Sequence, residues 1–555
     1  MRPFLLLLLF LFSIQFMVQG QEFAWARYDG GGGTSITNSV AVDKAGNVYV
    51  TGSFRDEIKL GTFQLFGTPR LDPRDPSDIN LFVAKYDPAG NVVWALGSKR
   101  IPNSSSGSSV RGFGITVDQH GSCYVTGYTF NEVEFGGHIM GWDINSDLFA
   151  LKLNPEGKVQ WITEKVESLN YGKDVNIQVD AAGNSYIVGV PLWMVGTYVM
   201  KLDPNGKLLW KKGFTNAVAD RLSLDEKQGA FYMAGKLVES ANIDGTSLAS
   251  VGSSDLFIGK LDMDGNTKWV KRLGGTSADS ATGIASDGLG NVYLSGIFQG
   301  SLVNSGVSLQ SKGSTDGIII KLKQDGEVDW AKTIGGTSAD TASSIAISSS
   351  GRLLVTGSTT GQITFNKKTY SASSPTGTLF VAEFGASGTE KSFFTLAGEG
   401  RQQSRTISAG FNNDIAFGGA FSGKVQFSTQ KAEVAKEKMF VAKLTIPETP
   451  DEPETPEEPE LPTTPPGAIA VEIPNIFTPN GDQKNEAFEV LVTGGPESKI
   501  ELSVYNRFGN RVYYQKDYKN TWTGQGLADS TYFYLVQVKA GDQVVSYKGW
   551  VEIMR

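Results

Sequence analysis

One short phrase returns along most of this chain, and its spacing leaves few folds open. It reads GNVYVTGSF at 46–54, GSCYVTGYTF at 121–130, GNSYIVGV at 183–190, GAFYMAGKL at 229–237, GNVYLSGIF at 290–298, GRLLVTGST at 351–359 and NDIAFGGAF at 413–421. The later glycine of each phrase falls at Gly52, Gly127, Gly189, Gly235, Gly296, Gly357 and Gly419, so the last three intervals are 61, 61 and 62 residues. A near-constant period of that size marks an array of supersecondary units, each too small to bury its apolar face alone.

A second phrase follows the first. LFVAKYDPAGNVVW ends at Trp94, LFALKLNPEGKVQW at Trp161, YVMKLDPNGKLLW at Trp210, LFIGKLDMDGNTKW at Trp269, IIIKLKQDGEVDW at Trp330 and LFVAEFGASGTEKSF at Phe393. Each is an apolar run, a turn rich in Asp, Pro and Gly, and a second run with an aromatic residue, which is the signature of a β-hairpin. A unit therefore has four strands: one such as SVAVD at 39–43, a second at 47–52, a third at 81–86 and a fourth around Trp94. The first three recur seven times but the fourth follows only six of them, while FAWARY at 23–28 has the fourth-strand pattern and stands ahead of the first unit. This count predicts an all-β fold, a seven-bladed β-propeller over 21–445 closed by the N-terminal strand, with only short edges left exposed. An open β-solenoid is the rival, but its rungs are usually shorter and need no stray fourth strand.

The units resemble the β-propeller repeats of secreted and surface proteins, in which GNVYVTG is followed by D-x-F-V-A-K-Y-D-x-x-G and a strand with Trp. The resemblance runs from Glu22 to about Thr445; the third unit departs from it, its loop clipped to PLWMVG at 191–196. It implies a fold and names no ligand, because propellers serve many functions.

Residues 1–20, MRPFLLLLLFLFSIQFMVQG, carry a positive charge, a long apolar run and small residues before Gln21, which predicts a secretory signal peptide cleaved near Gly20. A retained anchor is disfavoured because Gln15, Gln19 and Gln21 dilute the run, so the mature protein is expected to be exported and not transmembrane. A formal charge of −8 lacks the concentrated basic footprint of a nucleic-acid binder. A single cysteine, Cys123, rules out an intramolecular disulfide, leaving stability to core packing. Cys123 occupies the place of Val48 and Val292 in sister units, which favours a buried strand residue over a nucleophile.

Asp43, Asp118, Asp180, Asp225 and Asp287 end first strands just before a turn, where Asx-type hydrogen bonding explains them better than calcium binding. Asp262, Asp264 and Asn266 imitate the start of an EF-hand loop, but the twelfth position is Leu273, not Glu. The series Trp25, Trp94, Trp161, Trp210, Trp269 and Trp330, with Phe393, suits a packing layer between adjacent units better than a row of sugar platforms. The only histidines are His120 and His138, so a three-histidine metal centre is excluded, and no HExxH, GxSxG or Walker phrase occurs. No catalytic residue, cofactor or metal site is singled out. Paired carboxylates from different loops stay open as a glycosidase-like alternative, though nothing selects such a pair.

Residues 446–467, IPETPDEPETPEEPELPTTPPG, place proline at every third position from 447 to 465 with seven acids between them. Polyproline II has three residues per turn and like charges extend it, so a stiff spacer is expected. Beyond it, 468–555 shows alternating strand candidates at 499–507, 510–517, 531–539 and 544–555, which predicts a small C-terminal β-sandwich.

This last segment carries a second resemblance. FTPNGDQKNEAF at 477–488, VYNRFGNRVY at 504–513, Trp522 in NTWTG, STYFYLV at 530–536 and KGWVEIMR at 548–555 are similar to the C-terminal sorting domain of gliding-motility and surface proteins exported by the type IX secretion system of Bacteroidota. The matching positions are Phe477, Thr478, Pro479, Asn480, Gly481, Asp482, Asn506, Arg507, Gly509, Trp522, Tyr532, Lys548 and Gly549; Gln483 and Glu486 depart from the family's usual residues. The resemblance implies passage through the periplasm, recognition by the type IX machinery, and a secreted or cell-surface product. On this reading the propeller binds a surface glycan or an envelope protein, with a polysaccharide hydrolase or lyase and a structural envelope protein as the alternatives.

Overall fold

The structure is a computed structural model that describes residues 22–67, 79–101, 108–141, 146–163, 171–191, 195–304, 307–410, 414–427, 430–445, 470–481, 485–493, 498–506, 510–540 and 543–555. The expected signal peptide and spacer lie outside them. The chain divides into two compact units, Met1–Glu448 and Thr449–Arg555, and each is described by itself.

In the larger unit, Thr34–Val42, Val48–Arg55, Asn80–Tyr86 and Val92–Gly97 form an antiparallel sheet in that order. Five more four-stranded sheets of this kind follow among the described residues, with first strands Ser109–Val117, Tyr171–Val179, Ala217–Asp225, Ser280–Ser286 and Asp340–Ile347. The next first strand, Gln402–Ala409, pairs with Asp414–Phe427, which pairs in turn with Gln430–Thr445. On the far edge of that sheet the N-terminal strand Glu22–Tyr28 runs antiparallel to Gln430–Thr445, with Trp25 opposite Lys443.

The expectation of a seven-bladed propeller closed by the N-terminal strand, with a C-terminal β-sandwich, is corrected here. The protein is all-β and built from many small sheets, and among the described residues no sheet closes into a barrel or a propeller ring. The physical reason is that each hydrogen-bond ladder ends at its own outer strands. The N-terminal strand adds an edge to one sheet and leaves it open. Neighbouring sheets meet through side chains instead: one core cluster joins Val40, Val48 and Phe82 to Ala416, Met439 and Val441, and the next joins Tyr49, Leu81 and Val83 to Val110, Val125 and Phe149. Burying such side chains stabilises by about 1.5–3 kcal/mol each.

Short hairpins add to the larger unit, including Glu57–Leu60 with Phe63–Phe66, Ser240–Ile243 with Thr246–Ala249, and Gln362–Phe365 with Lys368–Ser371. Alternation puts Ile58, Leu60, Ile243, Ile363 and Phe365 inward, all essentially buried.

The smaller unit is a five-stranded sheet in the order Ile476–Phe477, Gln543–Ile553, Ser530–Ala540, Ser498–Tyr505 and Arg511–Gln515, its first pair parallel, beside the two-stranded pair Ala470–Glu472 and Leu491–Thr493. Its core gathers Phe477, Phe488, Trp522, Tyr532, Tyr534, Val551 and Ile553.

Candidate functional site

The repeated glycine explains where the larger unit's candidate site comes from. In every repeat but the third, the first strand skips one residue just past the one that faces the glycine: Asn38, Phe113, Asp220, Thr282, Ser343 and Arg405. Such a β-bulge bends the strand and re-aims its extra side chain. It also drives a backbone carbonyl against the neighbouring strand. A Cβ on Gly52 would lie 2.0 Å from the Ile36 carbonyl oxygen, and one on Gly127, Gly357 or Gly419 would lie 1.9 Å from that of Arg111, Thr341 or Gln403. Only glycine leaves room there. In the third repeat the register shifts fall ahead of Val175, which itself faces Gly189, and there the nearest atom to an added Cβ is Leu148 Cδ1 at 3.2 Å.

Five of the six bulged residues, Asn38, Phe113, Thr282, Ser343 and Arg405, line one cavity of about 420 Å³, together with Asn176 and Arg221 from the other repeats. An adjoining recess of about 230 Å³ shares Asn38, Phe113 and Arg405 and adds Arg55, Arg111 and Glu437. Burial of its guanidinium, and then the like charges of Arg55 and Arg405, hold Arg111 below the usual arginine range. Arg221 differs, since it pairs with Asp220 at 3.5 Å and donates to the Thr282 carbonyl. Together the two recesses present hydroxyl, amide and guanidinium groups at the place where the repeats differ in chemistry.

The recurring aspartates serve turns. Asp43 accepts from the Ala45 and Asn47 amides at 2.9 Å each, and its other oxygen from Asn47 Nδ2 and the Tyr49 hydroxyl. Asp118, Asp180 and Asp287 repeat the pattern, and Asp225 caps a short 3₁₀ turn by accepting from the Gln228 amide. Asp262 accepts from the Asp264 and Asn266 amides, so the EF-hand-like phrase is one more such turn.

The tryptophans fasten neighbouring sheets. Trp25, Trp94, Trp161, Trp269 and Trp330 each donate Nε1–H to a backbone carbonyl in the next sheet's hairpin turn, that of Pro88, Pro155, Pro204, Gln324 and Ala386 respectively, at 2.9–3.1 Å. The indoles lie over Gly90, Gly157, Gly206, Gly326 and Gly388, where an added Cβ would meet ring atoms at 2.6–3.1 Å. Trp210 likewise lies over Gly265 and also stacks on Phe231 with centroids 6.3 Å apart, and Phe393 packs on Phe365 and Phe380. Cys123 is buried, and that burial pushes its thiol well above the ordinary range, away from nucleophile chemistry. His120 sits in an exposed turn and His138 in an exposed hairpin.

In the smaller unit, Phe477 packs on Trp522 at 5.3 Å, and Trp522 on Tyr513 at 5.5 Å and Tyr532 at 6.4 Å. Thr478, Pro479, Asn480 and Gly481 follow as a loop, with the Thr478 amide donating to the Asn485 carbonyl at 2.7 Å. Asn506 closes a turn by accepting from the Asn510 amide. Lys548 stands on the exposed face, and a Cβ on Gly549 would meet the Tyr534 hydroxyl at 2.4 Å. Asp482, Arg507 and Gly509 lie outside the described residues. One contributor absent from the predicted set is Arg555, which pairs with Asp529 at 2.6 Å and donates to the Leu527 and Gly524 carbonyls.

Residues 471–553 match the model of the type IX secretion signal domain, and residues 24–53, 268–296 and 329–363 match the β-propeller repeat. The chain thus carries a β-propeller-repeat domain and a C-terminal type IX secretion sorting domain, and it is a protein secreted to the cell surface through that machinery. An uncharacterized WD repeat-containing protein of Acanthamoeba polyphaga mimivirus is 24% identical over 375 residues, covering 58% of this chain and 24% of the relative, so the match spans about a quarter of that protein. Solved structures with some likeness include a prolyl endopeptidase (9% identity, 92% of this chain and 55% of that one, TM-score 0.37). Another is a puromycin hydrolase (11%, 70% and 58%, TM-score 0.33). A putative dipeptidyl aminopeptidase IV from Bacteroides ovatus also has some likeness (9%, 67% and 63%, TM-score 0.29). At such scores these carry no argument about this chain. Among the described residues, no helix is long and apolar enough to cross a membrane.

Proposed function

We propose that the propeller-repeat domain is a binding module, carried to the outer surface by the sorting domain and engaging a surface glycan or envelope protein at the cavity of the bulged strands. The observation that carries this reading is that chemically different side chains, Asn38, Phe113, Thr282, Ser343 and Arg405, are delivered to one cavity by one repeated backbone device. Recessed sites with a few convergent polar groups are the usual places for small ligands. The test is an array of glycans and envelope proteins probed with the full secreted chain and with Ser343→Trp, which fills the cavity. Binding lost in the variant supports the reading. A polysaccharide turned over by the intact protein, or binding unchanged by Ser343→Trp, refutes it.

A further inference from the structure

Charge is unevenly spent around this cavity. The chain as a whole is acidic, at −8, yet the smaller recess gathers Arg55, Arg111 and Arg405 against the single acid Glu437. Arg221 across the cavity is neutralised by Asp220, whereas neither Arg111 nor Arg405 forms an ion pair with a described residue. Like charges held in one recess repel, and they do so more strongly where the protein excludes water. A bound oxyanion relieves that repulsion, and the planar guanidinium fork matches the two oxygens of a carboxylate or sulfate.

The rest of the lining narrows the class. Gln403 and the Asn38 side-chain carbonyl supply amide groups, the Ser39 and Ser344 hydroxyls each accept one backbone amide and keep a proton to donate, and Phe113, in both recesses, offers a ring to the apolar face of a sugar. Recesses of about 420 and 230 Å³ suit a few sugar rings, not a protein surface. We propose that this cavity binds an acidic saccharide, with Arg111 and Arg405 holding its carboxylate or sulfate and Phe113 beneath an adjacent ring. The inference rests on the binding reading above and specifies its ligand.

The test is calorimetric titration of the full secreted chain with trigalacturonate, its methyl ester, a sulfated galactan oligosaccharide and hexaglutamate. Either acidic saccharide is expected to bind, and whichever binds tighter identifies the oxyanion. Esterification, Arg111→Gln and Arg405→Gln should each weaken affinity by about tenfold or more, with melting unchanged and with affinity falling as salt rises. Arg405→Lys, which keeps the charge, should fall between the two. Equal binding of the ester, unaltered binding in both glutamine variants, or hexaglutamate binding as tightly as the saccharide would overturn the acidic-saccharide assignment while leaving a binding cavity in place. Binding of none of these ligands, together with an empty array, would overturn both readings.

Discussion

Gly127→Ala and Gly189→Ala are the same chemical change at the same place in two repeats, and the bulge predicts that they differ sharply. At Gly127 the new methyl would stand 1.9 Å from the Arg111 carbonyl oxygen and 2.9 Å from a Phe149 ring atom. An ordinary carbon–oxygen contact is about 3.3 Å, so the overlap is about 1.4 Å against main chain that cannot swing aside. Relief requires expelling Phe113 from its bulge or parting two strands, a cost at the upper end of overpacking, about 3 kcal/mol. At Gly189 the methyl meets Leu148 Cδ1 at 3.2 Å, the mobile end of a side chain. A shift of a few tenths of an ångström suffices there, and the loss of unfolded-chain freedom returns about 0.4–1 kcal/mol, so the net change should be within about 1 kcal/mol of zero. The assay is urea unfolding of the full chain followed by tryptophan fluorescence, comparing midpoints at matched slopes. Equal losses at the two glycines, or a harmless Gly127→Ala, would show that the glycine is not there for the bulge.

Lys438→Met should destabilise by about 3–5 kcal/mol, because Lys438 Nζ lies 3.2 Å from the fully buried Asp29 carboxylate and its loss strands that charge; a melt of the variant against wild type checks it. Burial, followed by the neighbouring Asp316 carboxylate among the causes that raise it, lifts the Asp340 carboxyl above the ordinary range, so its contribution is fully present below about pH 3.9 and fades as pH rises through the raised value. Asp340→Asn should therefore gain stability near pH 7 and flatten the pH profile above pH 4, and an unchanged profile would contradict this. In the sorting domain Trp522 is 4% exposed and Trp550 42%, so Trp522→Ala should cost about 3–5 kcal/mol and impair export through unfolding, while Trp550→Ala should leave the melt nearly unchanged. Deleting 468–555 should leave a folded repeat domain in the periplasm of a host with the type IX machinery, which fractionation will read directly.

Much of this was legible because the repeat is a strong local signal. The hairpin turns at Pro88–Gly90 and their equivalents announced themselves by composition, and the Trp series by its fixed place at strand ends. The added hairpins were missed although IKLGTFQL at 58–65, ANIDGTSLA at 241–249 and ITFNKKTYS at 363–371 show alternation around a two-residue turn. Their strands are only four residues long, shorter than the window in which alternation stands out. The bulge is hidden for a different reason, since the sequence pattern marks the first strand only over 39–43, whereas it runs from Thr34 to Val42. A bulge breaks the period of two, so the residues ahead of it read as loop. The signal was nonetheless present: five residues before the turn that ends the strand, the repeats carry Asn38, Phe113, Asp220, Thr282, Ser343 and Arg405, while the residue just before each is small, Thr37, Gly112, Ala219, Ala281, Ala342 and Ser404.

That contrast separates what stabilises the repeats from what distinguishes them. The glycine, the turn aspartate and the tryptophan are uniform because each answers a backbone demand that recurs in nearly every sheet. The bulged side chain answers no demand common to all the repeats: Asn38 and Thr282 bond the Gly112 and Ala342 carbonyls, Phe113 packs edge-on to Tyr128, and on the binding reading the rest of its variation follows the ligand. Substitutions at Ser343 should accordingly change binding at little cost in stability, while the glycine of its repeat holds the geometry. An arginine at one such position, with Arg111 and Arg55 beside it, gives a single cationic end to a lining that is otherwise neutral over most of its extent. A cavity with one charged end fixes the direction in which a ligand enters, which no set of identical repeats could do.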